Sequence, residues 1–181
     1  IRAEIGGVHN IQDYCQHNDL DKVHDKHRVV RFTKKSRVTN PDTGKAFDMV
    51  DFEDHNFRVA YMEEEEFNMV SQYMPVKKTI YDWPKTKKTF RCINRVRFYH
   101  PNYPVFVDIS IVKTNKKVQY RNGKTGPPSP AETIQEAGVF KNTPSYEVEL
   151  EFDNEKIKTY AHSSDTISAL MMYSKQCIRH V

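Results

Sequence analysis

The sequence predicts a mainly β, α+β protein whose strands curl into an antiparallel barrel with a few flanking helices. Three observations predict it. At least six short segments are rich in β-branched and aromatic residues and alternate loosely between polar and apolar positions. Clusters of Gly, Pro, Asn and Ser separate them at hairpin distances. No strand–helix–strand rhythm and no internal repeat runs through the chain, which leaves an antiparallel sheet closed on itself as the simplest architecture.

The elements follow in order. Asn10–Leu20 places Ile11, Tyr14 and Cys15 at helical spacing, with Asn10 as N-cap and Asp13 as its return partner. Residues 29–38 (VVRFTKKSRV) read as a strand, and Asn40-Pro41-Asp42-Thr43-Gly44 as the turn into a short return strand over 46–50. Residues 56–66, 87–100 and 105–114 are three further strands, the last two joined as a hairpin across Pro101 and Pro104. Residues 121–130 (RNGKTGPPSP) are a loop, and 130–138 a short helix ended by Gly138. Residues 146–152 (YEVELEF) form a strand, 156–160 a short one, and 164–180 a helix with Ile167, Leu170, Met171, Ser174 and Ile178 on one face.

Composition bounds the function. With 181 residues, 38% hydrophobic and 29% charged, the chain is long enough for a sizeable core and too apolar to be a disordered tail. No apolar run reaches the roughly 18 residues of a membrane helix, and no secretory leader pattern opens the chain. The three cysteines, Cys15, Cys92 and Cys177, are odd in number and far apart, which suits reduced thiols in a cytosolic setting rather than a disulfide framework or zinc site. The net charge of +4 is too mild to establish nucleic-acid binding by itself. Its distribution says more: basic residues crowd 77–97, acidic ones 63–66 and 147–155, and a phosphate-handling site with a metal needs both signs close together. The chain opens at Ile1 without methionine and stops at Val181 inside a predicted helix, so a segment of a longer protein is expected.

Four constellations carry chemistry. Strand alternation puts Glu147, Glu149 and Glu151 on one face, with Val148, Leu150 and Phe152 opposite. Either the apolar face meets the core and the acids meet water, or the row lies inside a barrel, where carboxylates roughly 6–7 Å apart repel unless a cation intervenes. Hard ions such as Mg²⁺ or Mn²⁺ take such oxygens. Arg91, Arg95 and Arg97 share a face of the next row, either solvated or clamping phosphate through bidentate hydrogen bonds. Asp108 and Ser110 interrupt an otherwise apolar strand, as lumenal groups or, for Asp108, as the partner of an arginine across the sheet; Lys113 falls on the apolar face unless the strand bulges. Arg31, Thr33 and Lys35 share a face, as do Arg58, Ala60, Met62 and Glu64, while Glu63–Glu66 reads foremost as a solvated strand end. Tyr81 and Trp83 either stack a base or anchor a loop, the second being the commoner role. The scattered histidines read as surface residues. Phosphate-binding glycine loops, a Cys-x₅-Arg loop and a Lys-x-Asp-Gly motif are absent.

The ordered set KKTFRCINRVRFYHPNYPVFVDISIVK, AGVF and YEVELEF resembles the RNA 5′-triphosphatase domain of giant-virus, mimivirus-like mRNA capping enzymes. IRAEIGGVHNIQDYCQHNDL is similar to the helical segment ahead of those strands, and the tail ending QCIRHV to the connector into a guanylyltransferase domain. The resemblance implies a triphosphate tunnel over 1–163, with 164–181 as connecting helix. It implies hydrolysis of the γ-phosphate of 5′-triphosphate RNA with Mg²⁺ or Mn²⁺, the guanylyltransferase domain of the same polypeptide as partner, and a place in the host cytoplasm or virion. Carried over residue by residue, Glu147, Glu149 and Glu151 match the second metal-binding strand, with Glu149 also catalytic. Arg91, Arg95 and Lys113 match basic tunnel positions, Arg97, Arg58 and Lys35 substrate-binding ones, and Asp108 an acidic position that orients a base or the water. By this resemblance the family's first Glu-x-Glu-x-basic strand would lie upstream of the region matched by Ile1, and Glu4, which stands alone, does not replace it. Hydrolysis of free nucleoside triphosphates or tripolyphosphate, and a non-catalytic RNA- or protein-binding β-domain, are the alternatives.

Overall fold

The computed structural model describes residues 1–99, 101, 104–153 and 155–157. In chain order these form β1 (Arg2–Ile5), α1 (Val8–His17), α2 (Lys26–Val29), β2 (Val30–Arg37), β3 (Val50–Phe52), β4 (Phe57–Val59), β5 (Met62–Asn68), α3 (Met74–Asp82), β6 (Arg91–Tyr99), β7 (Val105–Thr114), β8 (Lys117–Gln119), β9 (Thr125–Pro128), α4 (Ile134–Ala137) and β10 (Ser145–Phe152), with short 3₁₀ turns between. The chain is mainly antiparallel β, as predicted.

The barrel is not borne out. The described strands make four separate sheets, two of three strands and two of two, and none closes. Alternation along a strand sets which side chains share a face, but says nothing about whether the outermost strands find each other. Here β1 and β5 are the edges of one three-stranded sheet, and β6 and β10 of the other.

Within 1–163, the described chain clusters as two compact units. The first comprises 1–87 with 132–135, and the second 88–131 with the residues from 136 onward. In the first, β2 is the central strand between β1 and β5. Its buried residues include Tyr14, Leu20, Val23, Val30, Phe32, Thr33, Val76 and Ile134. Trp83 Nε1 donates a 3.1 Å hydrogen bond to the Tyr14 hydroxyl, and their rings meet edge to face. Trp83 is therefore a structural anchor here. Burial pushes the Tyr14 hydroxyl up to about 12, against the opposing effect of the Trp83 hydrogen bond. Helix α1 begins after Gly7, which holds φ +88, not at Asn10. Asn10 instead sits inside the first turn and donates from Nδ2 to the Gly6 carbonyl at 2.8 Å.

Three other local readings change. The turn at 40–44 forms, with Asn40 Oδ1 accepting from Asp42 N at 2.8 Å, but the return strand over 46–50 shrinks to a Thr39–Ala46 bridge and a later strand at 50–52. The strand over 56–66 splits into β4 and β5, so Arg58 and Glu64 do not share a continuous face. Helix α3, opened by Pro75 in its first turn, is an addition to the sequence reading. The Gly- and Pro-rich loop also folds back as the β8–β9 hairpin.

In the second unit β7 is central between β6 and β10, in continuous antiparallel register. Alternation assigns two faces. Arg91, Arg95, Arg97, Asp108, Ser110, Val112, Glu147, Glu149 and Glu151 share one; Val96, Phe98, Ile109, Ile111, Val148 and Leu150 share the other. The middle of the charged face is the closed one: Asp108, Ser110 and Val112 are buried, whereas those six apolar residues are exposed. Of the short strand read over 156–160, residues 156 and 157 are helical and 158–160 lie outside the described residues. The helix read over 164–180 lies outside the described residues. No helix among the described residues is long and apolar enough to cross a membrane.

Candidate phosphate and metal site

The charged face of β6–β7–β10 owes its geometry to the central strand. Opposite Arg95 stands Ser110, and opposite Arg97 stands Asp108. Both are short, so each arginine reaches across β7 toward the glutamates of β10. Arg95 Nε donates to Ser110 Oγ at 3.0 Å, its Nη2 to Glu149 Oε2 at 2.7 Å, and its Nη1 lies 3.1 Å from Asp108 Oδ2. Arg97 grips Asp108 with Nε at 2.6 Å and Nη2 at 2.5 Å, and the same Nη2 reaches Glu151 at 2.8 Å. Its guanidinium also lies 4.8 Å from the centre of the Phe106 ring. Arg91 Nη2 donates to Glu147 Oε2 at 2.7 Å.

Burial divides the acids. The Asp108 side chain is fully enclosed, while Glu147, Glu149 and Glu151 keep 33, 43 and 46% of their surface. The hydrogen bonds from Arg97 hold the Asp108 carboxyl below its ordinary range; burial opposes this, and the charges of Arg97 and Arg95 assist it. Reciprocally, Asp108 pushes the Arg97 pKa above its usual value.

Of the residues read from sequence as metal ligands, Glu149 and Glu151 come together and Glu147 stands apart on Arg91. Asp108 completes the group: one carboxylate oxygen from each of Asp108, Glu149 and Glu151 lies within 4.8 Å of the others. Three hard oxygen donors so placed could hold a metal ion. The signal for Asp108 was its place as a buried acid in an apolar strand, and the structure makes it the partner of two arginines.

The other expected residues lie elsewhere. Lys113 pairs in register with Cys92, without a bulge, and so projects from the opposite face, where its Nζ donates to the Phe140 carbonyl at 2.8 Å. Arg58 is held bidentately by Asp51 across β3–β4, at 2.5 and 2.9 Å. Lys35 pairs with Glu64 at 2.8 Å. Both belong to the first unit and are engaged by acids of their own.

No protein-family model, curated protein or solved structure matches the chain.

Proposed function

We propose that the β6–β7–β10 face binds a 5′-triphosphate RNA end and hydrolyses its γ-phosphate with Mg²⁺ or Mn²⁺, the first step of mRNA capping. The observation that carries this reading is the pairing of a guanidinium row with a three-carboxylate group on one face. Each of Arg91, Arg95 and Arg97 already holds an oxyanion at 2.7–2.8 Å, the contact a phosphate oxygen would make. The finer statement, that this sheet is one wall of a triphosphate tunnel preceding a guanylyltransferase domain, rests on the family resemblance.

Phosphoryl transfer asks a protein chiefly to position groups and neutralise charge. In this reading Arg95 and Arg97 bind γ-phosphate oxygens and stabilise the charge that accumulates as the bond to the β–γ bridging oxygen breaks. Asp108 and Ser110 hold those arginines in place from beneath. Glu149 orients the attacking water and accepts its proton as the oxygen joins phosphorus. The products are inorganic phosphate and a diphosphate-ended RNA. A bound divalent ion would supply Lewis-acid polarisation of the phosphate oxygens.

The test is release of labelled γ-phosphate from RNA in the presence of Mn²⁺. Excess ATP or tripolyphosphate as competitor separates an RNA end from a free polyphosphate as the preferred substrate. A second reading, a non-catalytic β-domain, draws on the observation that all three arginines are already paired. It predicts no phosphate release in that assay and unchanged RNA or protein binding in Glu149→Gln.

A further inference from the structure

The same pairing that supports a phosphate site also obstructs it, and the way it does so is informative. The donors of Arg95 divide into two sets: Nε and Nη1 are turned to Ser110 and the buried Asp108, while Nη2 goes to the half-exposed Glu149. Arg97 differs in detail: Nε and Nη2 are on the buried Asp108, and the same Nη2 is shared with the half-exposed Glu151. A buried carboxylate cannot leave its arginines without stranding charge in a closed site. A half-exposed glutamate can swing into water at little cost, because exposed ion pairs are weak. The face is thus built from one fixed acid that aims Arg95 and Arg97 and three exchangeable acids that each engage one guanidinium donor of Arg91, Arg95 or Arg97.

We propose that Glu147, Glu149 and Glu151 are built-in competitors for the anion. Phosphate oxygens enter by displacing them from Arg91, Arg95 and Arg97, and the displaced Glu149 and Glu151 then become available to a divalent cation alongside Asp108. This deepens the proposed function and rests on it. Its consequence is that anion and cation bind with positive coupling. With the glutamates paired, the carboxylate oxygens are engaged and the neighbouring guanidinium charge opposes a cation. With phosphate on the arginines, Glu149 and Glu151 are released and the guanidinium charge is offset, while Asp108 keeps its arginine contacts. Coupling between two ligands is reciprocal, so the glutamates must weaken anion binding whenever metal is absent.

The test uses the whole chain and tripolyphosphate in metal-free, chelator-treated buffer, followed by calorimetry. Glu149→Gln should bind tripolyphosphate about tenfold more tightly than the parent, within the ordinary range of coupling between sites. Glu64→Gln, which makes the same change of net charge in the other unit, should match the parent. A second arm follows Mn²⁺ by the paramagnetic resonance signal of the free ion. Arg95→Met should bind Mn²⁺ more tightly than the parent, and Arg91→Met, whose partner Glu147 is outside the carboxylate group, should not. Equal or weaker tripolyphosphate binding by folded Glu149→Gln would overturn the exchange while leaving the phosphate site standing. So would equal Mn²⁺ gains in the two arginine variants. Folded parent and variants that all fail to bind tripolyphosphate would overturn the proposed function as well.

Discussion

Two three-stranded antiparallel sheets in this molecule carry rows of opposite charge, and only one of them makes a concentrated site. In β1–β2–β5 the acids are consecutive, Glu63 to Glu66, so alternation deals them to both faces. The two lysines of β2 each meet the acid directly opposite: Lys34 to Glu65 at 3.3 Å and Lys35 to Glu64 at 2.8 Å, one pair on either side. In β10 the acids alternate, so all three share a face, and their arginine partners reach across the central strand, Arg95 and Arg97 from positions opposite Ser110 and Asp108. The first sheet makes exposed pairs of the kind that contribute little. The second has arginines with planar, multiply donating groups and a fully enclosed aspartate between them. The spacing of acids, more than their number, separates a solvated ladder from a candidate site.

This contrast can be broken or sharpened by experiment. The largest expected effect is on phosphate release. Arg95→Ala and Glu149→Ala should each lower it by about 10²- to 10³-fold, the scale of losing one stabilising donor at a reacting phosphate. Lys35→Ala, in the other ladder, should change it by less than about threefold.

Stability comes next. Asp108→Ala leaves two arginines facing an empty buried position and should cost about 2–4 kcal/mol by denaturant unfolding, below the full cost of breaking a buried pair because the arginines retain access to water. Glu65→Ala should cost under about 1 kcal/mol.

Acid should act on the same pair. The folded-state pKa of Asp108 is depressed, so its contribution is present above the ordinary carboxylate pKa and disappears as pH falls through the folded value. Unfolding below about pH 4 should therefore be steeper for the parent than for Asp108→Asn. The smallest effect lies at the alkaline end. Tyr14 is raised to about 12, so its contribution is intact below the unfolded tyrosine value of about 10 and is lost as pH climbs through the folded one. A near-ultraviolet titration should find one tyrosine ionising later than the exposed ones, and Trp83→Phe should alter that late step alone.

Much of this was legible in the sequence because strand alternation is strict. The shared faces of Arg91, Arg95 and Arg97 and of Glu147, Glu149 and Glu151 follow from counting by two, and the register sets Arg95 and Glu147 opposite Ser110 and Arg97 and Glu149 opposite Asp108. Asp108 as an arginine's partner was also readable, since a lone acid in VFVDISIV has few other uses. The metal group was only half readable. Whether Glu147 or Asp108 joins Glu149 and Glu151 depends on how far Arg91 reaches across β7, a side-chain matter that spacing does not encode. Lys113 was placed on the apolar face by the same counting and stayed there. Sheet closure was not legible, because pairing between outermost strands is decided by long-range contacts. Helix α3 is hidden in the sequence because its nine residues open with a proline in the first turn and carry adjacent lysines in so short a run.

The most direct test of the central claim is release of labelled γ-phosphate from 5′-triphosphate RNA with Mn²⁺, run side by side on the parent, Glu149→Ala and Glu64→Ala. The account predicts that the parent and Glu64→Ala release phosphate at similar rates while Glu149→Ala falls by two orders of magnitude or more. Equal rates in all three, or equal losses in both variants, would contradict it.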